Sequence, residues 1–296
     1  INGNFITLDD TCPNAEMISV DSGKIAGINA ADHNHESVDL KGATVIPGFV
    51  DAHFHLVNLG KQKDTLNLRD CNSSREIANK VSEKSKELNE ADWIFGFGWD
   101  HTKWEDQTFP SSDILNRLPV SQPVMLTRID GHSCWVNETA MQLSGLDISI
   151  EPPDGGSIIN NCILIDNAMD PLQFIIPKPN EKQVKKWIKL ALEIIIPRGI
   201  TNIHDAWQNP ITVKVLKELS ENKQLPIRVY GMLGSSHPKL LKQFFKNGHV
   251  NSNNYSIRSV KAFIDGALGS RGAALLEPYT DDQNSCGLVL ISTDEF

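Results

Sequence analysis

The sequence predicts an α/β protein built around a parallel sheet, and three observations lead there. From about residue 181 onward, strand-like and helix-like runs alternate, as they do in βαβ units. Upstream, the apolar run "ATVIPGFVDAHFHL" at 43–56 is rich in β-branched residues and reads as a buried strand. At 296 residues the chain is long enough for one large α/β barrel or for two domains.

Taken in order, residues 1–44 hold three short β-type runs, "NFITL", "EMISV" and "KIAGI", with "DSG" as a hairpin turn between the last two. They predict a small N-terminal β module. A first long strand follows at about 45–56. The segment "SSREIANKVSEKSKEL" then sets Ile77, Val81 and Leu88 on one helical stripe, with Ser73 or Ser74 as N-cap. From about 93 to 180 the periodicity is irregular, with Trp93, Trp99, Trp104 and Trp135 among Gly, Pro and Asp, so about 58–198 reads as an insertion. The run "EKQVKKWIKLALEIII" predicts a helix with Val184, Trp187, Ile188, Ala191 and Ile195 inward, stopped by Pro197 and Gly199. Strands are then expected at about 200–206, 227–233 and 259–265, separated by the helical runs "ITVKVLKELSEN" and "KLLKQFFKNG".

Composition narrows the partners. No uninterrupted apolar stretch approaches the ~20 residues that cross a bilayer. A net charge of −9 argues against a nucleic-acid backbone and suits a neutral or cationic small molecule. The five cysteines, Cys12, Cys71, Cys134, Cys162 and Cys286, form no CxxC pair and read as reduced thiols. With no signal-like opening, the expectation is a cytoplasmic protein, with a homodimer as one possible assembly.

Strand alternation puts Asp51, His53 and His55 on one face, where two neutral imidazoles could hold one divalent metal. The alternative is a pair of partly buried histidines bonded to backbone carbonyls. His33 and His35 repeat the HxH pattern in the polar run "ADHNHES" and read as loop. In "SVKAFIDGALGS", the same alternation groups Lys261, Phe263 and Asp265. Burial disfavours an ammonium, and a neutral amine can take up carbon dioxide as a carbamate, a carboxylate on a long arm. A pairing of Lys261 with Asp265, or its escape to solvent, are the alternatives. "FGFGWDHTKW" could line a pocket with Trp99, His101 and Trp104, "DGHSCWVN" sets His132 in a turn, and "TNIHDAW" ends a strand on His204 and Asp205. No GxSxG elbow or GKS/T loop occurs.

Together and in order, "NGNFITLDD", "DSGKIAGI", "VIPGFVDAHFHL", "FGFGWDHTKW", "PVMLTRIDGHSCWVN", "PPDGG", "RGITNIHDA" and "VKAFIDGALGSRGAALLEPY" resemble the amidohydrolase superfamily, in detail its amidohydrolase-3 (YtcJ-like) group. The resemblance implies a partial (β/α)8 TIM barrel holding about the first four strands, over residues 45–296, with the β module at 1–44 contributing to a composite sandwich. It implies His53 and His55 as ligands of the more buried metal and Lys261, as its carbamate, as a bridge between metals. Trp99, His132 and Arg271 become candidates for substrate binding. The implied cofactor is a divalent metal, zinc first, as one or two ions. Hydrolysis of a non-peptide C–N bond by metal-activated water is the implied reaction. A deaminase, another hydrolase of the superfamily, or a non-catalytic barrel is the alternative. The tryptophan-rich insertion suggests an apolar or aromatic acyl group.

The family's other ligands, two histidines and an aspartate that accepts the proton, have no counterpart after Lys261. The expectation is therefore a fragment, inactive alone, of a longer hydrolase whose catalytic residues lie in a missing C-terminal half.

Overall fold

A computed structural model describes residues 1–30, 36–146, 155–252, 254–266, 268 and 272–291. His33, His35 and Arg271 lie outside these residues. The fold is α/β and divides into two units, one of residues 1–54, 195–208 and 217–296, the other of residues 55–194 and 209–216.

The first unit is built on four parallel strands: β1 (Phe49–Phe54), β2 (Ile200–Gln208), β3 (Arg228–Gly234) and β4 (Tyr255–Lys261). They lie side by side in chain order, and a short ribbon at Val250–Asn251 pairs antiparallel with the outer edge of β4. Two rows across the sheet, Ile203–Val229–Tyr255 and Asp205–Gly231–Ile257, are in register and buried. The alternate row, His204–Tyr230–Ser256, is only half-buried. One face of the sheet is therefore packed and the other open, as alternation along each strand dictates.

Before β1, Asn4–Ile6 pairs with Asn14–Ala15 and Thr44–Val45, and Ile18–Asp21 forms a hairpin with Lys24–Ile28. Ser22 and Gly23 turn that hairpin with φ of 49° and 76°, the two positive angles that a tight turn matching strand twist requires. The "DSG" turn of the sequence is thus present.

The second unit opens with helix α1 (Leu56–Asp64), followed by α2 (Ser74–Ser85). Ser73 caps α2 by accepting from Glu76 N at 3.2 Å, and Ile77 and Val81 are fully buried beneath it, as the periodicity predicts. The irregular region between 93 and 180 is more ordered than its pattern suggests. It supplies five strands of a six-stranded mixed sheet, in spatial order 156–159, 163–166, 133–136, 124–128, 94–99 and 66–67. Its central strand 133–136 is buried at every residue, so it lacks the alternation that marks a strand. Trp135 packs with Trp99, Trp104 and Leu126 on one side, while its neighbours Cys134 and Val136 join Met141, Leu164 and Leu172 on the other.

Helix α3 (Glu181–Ile195) buries Val184, Ile188, Ala191, Leu192 and Ile195, a stripe spaced by three and four residues. Its approach to α1 is close: a Cβ on Gly60 would lie 1.8 Å from the Trp187 carbonyl oxygen. Asp64, the last residue of α1, accepts hydrogen bonds from Lys186 Nζ at 2.6 Å and Trp187 Nε1 at 3.0 Å. Helices α4 (Pro210–Glu221) and α5 (Pro238–Asn247) separate the later strands. Among the described residues no helix is long and apolar enough to cross a membrane.

Candidate functional site at the strand ends

All four parallel strands of the first unit run the same way, so their C-terminal ends form one edge of the sheet, where α/β proteins commonly collect reactive groups. His53 is the penultimate residue of β1 and is exposed. It does not share a face with Asp51 in the simple manner that alternation predicts. Asp51 stands opposite Ile203 and Phe54 opposite Asp205, so two residues of β1, Ala52 and His53, face one of β2, His204. This bulge resets the alternation. Asp51 is in register with Ile203 and half-buried, its carboxylate accepting from His53 N at 3.1 Å, while Ala52 and His53, both exposed, stand together beside the open row of His204, Tyr230 and Ser256.

His55 lies outside the strand. The strand stops at Phe54, and His55 occupies the N-cap position of α1, where its carbonyl oxygen accepts from Leu59 N at 3.0 Å. The two imidazoles therefore reach out from a strand end and the helix start that follows it, not from two positions of one extended segment.

Lys261 is the last residue of β4 and pairs in register with Gly234. Gly234 continues the alternation Tyr230, Met232, Gly234, so Lys261 lies on the same open face of the sheet as His53. The two are separated by three strand steps, roughly 14 Å along the sheet. The fourth strand begins four residues earlier than its apolar pattern suggests, because Tyr255 and Ile257 alternate with polar Ser256 and Arg258. Phe263 and Asp265 consequently fall beyond it, and Asp265 is engaged elsewhere, accepting from Ala274 N at 3.0 Å. Among the described residues no carboxylate pairs with Lys261, whose Nζ stands 5.1 Å from the centre of the Phe263 ring.

Trp207 was not singled out by the sequence, although "TNIHDAW" runs up to it. Its ring packs against Phe263 with centroids 4.8 Å apart. On the buried face beneath, Tyr255 Oη donates to Gln208 Oε1 at 2.5 Å and Gln208 Nε2 donates to Asp205 Oδ2 at 2.7 Å. Burial, with the Asp205 charge adding to it, pushes the Tyr255 hydroxyl well above the usual phenol range. Asp205 therefore serves the fold beneath the sheet, while His204 on the open face lies 5.1 Å from the Tyr230 ring centre.

The substrate-binding candidates Trp99 and His132 belong to the other unit. Trp99 is fully buried and donates through Nε1 to Leu126 O at 2.7 Å, so it is a core residue rather than a pocket wall. Trp104 is likewise buried, donating to Cys71 O at 3.1 Å. Burial, with the Arg128 charge second, lowers the pKa of His101, whose ring stacks on Phe109 at 4.0 Å. His132 is an exposed turn residue with Nδ1 2.9 Å from Asp166 Oδ1.

Residues 53 and 55 offer two imidazoles, donors of a type that suits a borderline divalent ion, and residue 261 offers an amine. Among the described residues no three His, Cys, Asp or Glu side chains converge as a metal-holding group.

The chain is similar to several known proteins. "Putative amidohydrolase YtcJ" of Bacillus subtilis is 28% identical over 314 residues, covering 99% of this chain and 59% of that protein. The N-substituted formamide deformylase of Arthrobacter pascens is 22% identical, over 91% of this chain and 54% of its own. The crystal structure of an uncharacterized metal-dependent hydrolase from Pyrococcus furiosus superposes with a TM-score of 0.82 at 27% identity, covering 100% of this chain and 62% of that one. The chain thus spans between half and two thirds of the length of these relatives. The sequence model of the amidohydrolase family matches residues 36–295, and the chain belongs to that family.

Proposed function

We propose that the protein hydrolyses non-peptide C–N bonds of a small-molecule amide through a metal-activated water. The observation that carries this reading is the order of the sheet: His53 stands next to the end of the first of four consecutive parallel strands and Lys261 ends the fourth. These strands are read as the first four of a (β/α)8 barrel, with 1–44 as an accessory β module and about 58–198 as an insertion. The names of the relatives, a metal-dependent hydrolase and a formamide deformylase among them, support the chemistry.

In this reading His53 and His55 would hold a divalent ion, zinc first, through neutral ring nitrogens, and Lys261 would join them as its carbamate. Such an ion would supply Lewis-acid activation of a carbonyl and a water of lowered pKa. The protein's own part is positional. The bulge at Ala52–His53 sets the backbone from which the first imidazole projects, and the second projects from the residue that precedes α1. Lys261 carries its amine from a strand end whose backbone is secured, since its carbonyl accepts from Ser235 N at 2.9 Å. The proton acceptor is assigned to the part of the relatives' length that this chain does not span.

Metal analysis of the intact protein, combined with a panel of amides, tests the proposal. About one or two divalent ions per chain are expected, with His53→Ala and Lys261→Ala each lowering metal affinity or turnover by tenfold or more. Metal content and activity unchanged in both variants would overturn it.

A further inference from the structure

The end of β2 carries a device that the metal chemistry does not explain. Ala206 stands opposite Met232 and Gln208 opposite Leu233, so Trp207 is a bulged residue with no partner on β3. Its φ is 76°, in the left-handed region that a bulky side chain rarely enters. A bulge at a strand end re-aims a side chain. Here the indole is turned over Gly234, where a Cβ would lie 2.9 Å from Trp207 Cε2, and against Phe263. Lys261 Nζ stands over the same Phe263 ring.

The strained turn is held from beneath. Gln208, the next residue, is fully buried and linked to both Asp205 and Tyr255, themselves buried, by the hydrogen bonds described above. A satisfied buried chain fixes the backbone on which it sits. Strain kept in place by such support clusters where a side chain has a task. The outer surface of the shelf is open, Trp207 being half-buried and Phe263 47% exposed.

We infer that Trp207 is a specificity-determining residue: with Phe263 it forms an aromatic shelf beside Lys261 that takes a flat aromatic acyl group of the substrate. The inference rests on the hydrolase reading and names the substrate class of that site. It moves the preference for an aromatic group from the tryptophans of the insertion, Trp99, Trp104 and Trp135, which are core, to one at the strand ends.

The test compares phenylacetamide with acetamide, which share a leaving group and differ only in the ring, using the intact protein. Trp207→Gly removes the indole while keeping a residue at ease with positive φ, so the fold is retained. KM for phenylacetamide is expected to rise about tenfold with kcat little changed, while KM for acetamide moves by less than about twofold. Gly234→Ala, which forces the indole aside without removing it, should shift selectivity the same way. Calorimetric binding of phenylacetamide to metal-free protein should weaken by the same factor, a readout independent of turnover. Equal losses for both amides, no loss for either, or no binding of phenylacetamide by the parent protein would overturn the inference. If the parent hydrolyses neither amide, the hydrolase reading fails, and the calorimetric comparison alone decides the role of Trp207.

Discussion

Replacing Gly60 by alanine reverses a usual sign. In an exposed helix interior, Gly→Ala stabilises by about 1 kcal/mol, because alanine leaves less backbone freedom to lose. At Gly60 the added Cβ would lie 1.8 Å from the Trp187 carbonyl oxygen and 2.4 Å from its carbon, whereas ordinary contact begins at 3.4 Å. Helix α1 would have to withdraw from α3 by about 1.6 Å, the difference between 3.4 and 1.8 Å. Such a movement strains the hydrogen bonds that Asp64 receives from Lys186 and Trp187 at 2.6 and 3.0 Å. Overpacking costs about 1–3 kcal/mol, and weakening hydrogen bonds to a charged acceptor about 1.5–3 kcal/mol. After subtracting the helix-propensity gain, Gly60→Ala should destabilise by about 1.5–5 kcal/mol, a fall in melting temperature of roughly 2–8 °C. Urea unfolding followed by circular dichroism measures it, with Gly60→Ser as a second probe of the same contact. A variant as stable as its parent, or more so, would refute the close approach of α1 and α3.

Other consequences follow from single groups. Tyr255→Phe leaves Gln208 Oε1 without its buried donor and should cost about 1–2 kcal/mol in urea unfolding; an unchanged midpoint would contradict the bonded chain. The same tyrosine links stability to pH. Its folded pKa is raised above the ordinary value of 10.0, so its contribution is complete below about pH 10 and is lost as pH rises beyond. Parent protein should lose more stability than Tyr255→Phe between pH 9 and 11, and parallel curves would argue against it. Burial pushes the Cys134 and Cys162 thiols up to about 12, so both should resist thiol reagents at pH 8 until the chain unfolds, while exposed Cys286 reacts at once. Mass mapping of modified peptides reads this directly, and early labelling of Cys134 would contradict the packing of the second unit.

How much of this was legible in the sequence depended on whether a local pattern governed the residue. The later strands and helices of the first unit were readable because apolar runs and amphipathic stripes alternate there. Ser73, Ile77 and Val81 were readable because a cap and a helical period act within a few residues. The bulge at Ala52–His53 was not, since register is set by the neighbouring strand and leaves no mark on β1 itself. His55 fell outside the strand because α1 begins at Leu56, and an HxH pattern looks the same across that boundary. Trp99 next to glycines resembled a pocket lining, but Gly96 and Gly98 are there because Leu68, Leu126 and Arg69 approach them, which is a packing demand. Trp207 escaped notice because nothing in "TNIHDAW" announces a positive φ, which comes from Gln208 being drawn under the sheet by Asp205 and Tyr255.

The proposed function depends on His53, His55 and Lys261 serving as ligands of a divalent metal. Anomalous diffraction from crystals of the intact protein, collected at the edge of the bound metal, tests it most directly. An anomalous peak is expected about 2.0–2.1 Å from an imidazole nitrogen of each histidine, with carbamate density on Lys261 reaching the same centre. A metal bound elsewhere, or imidazoles at 53 and 55 turned away from Lys261, would contradict it.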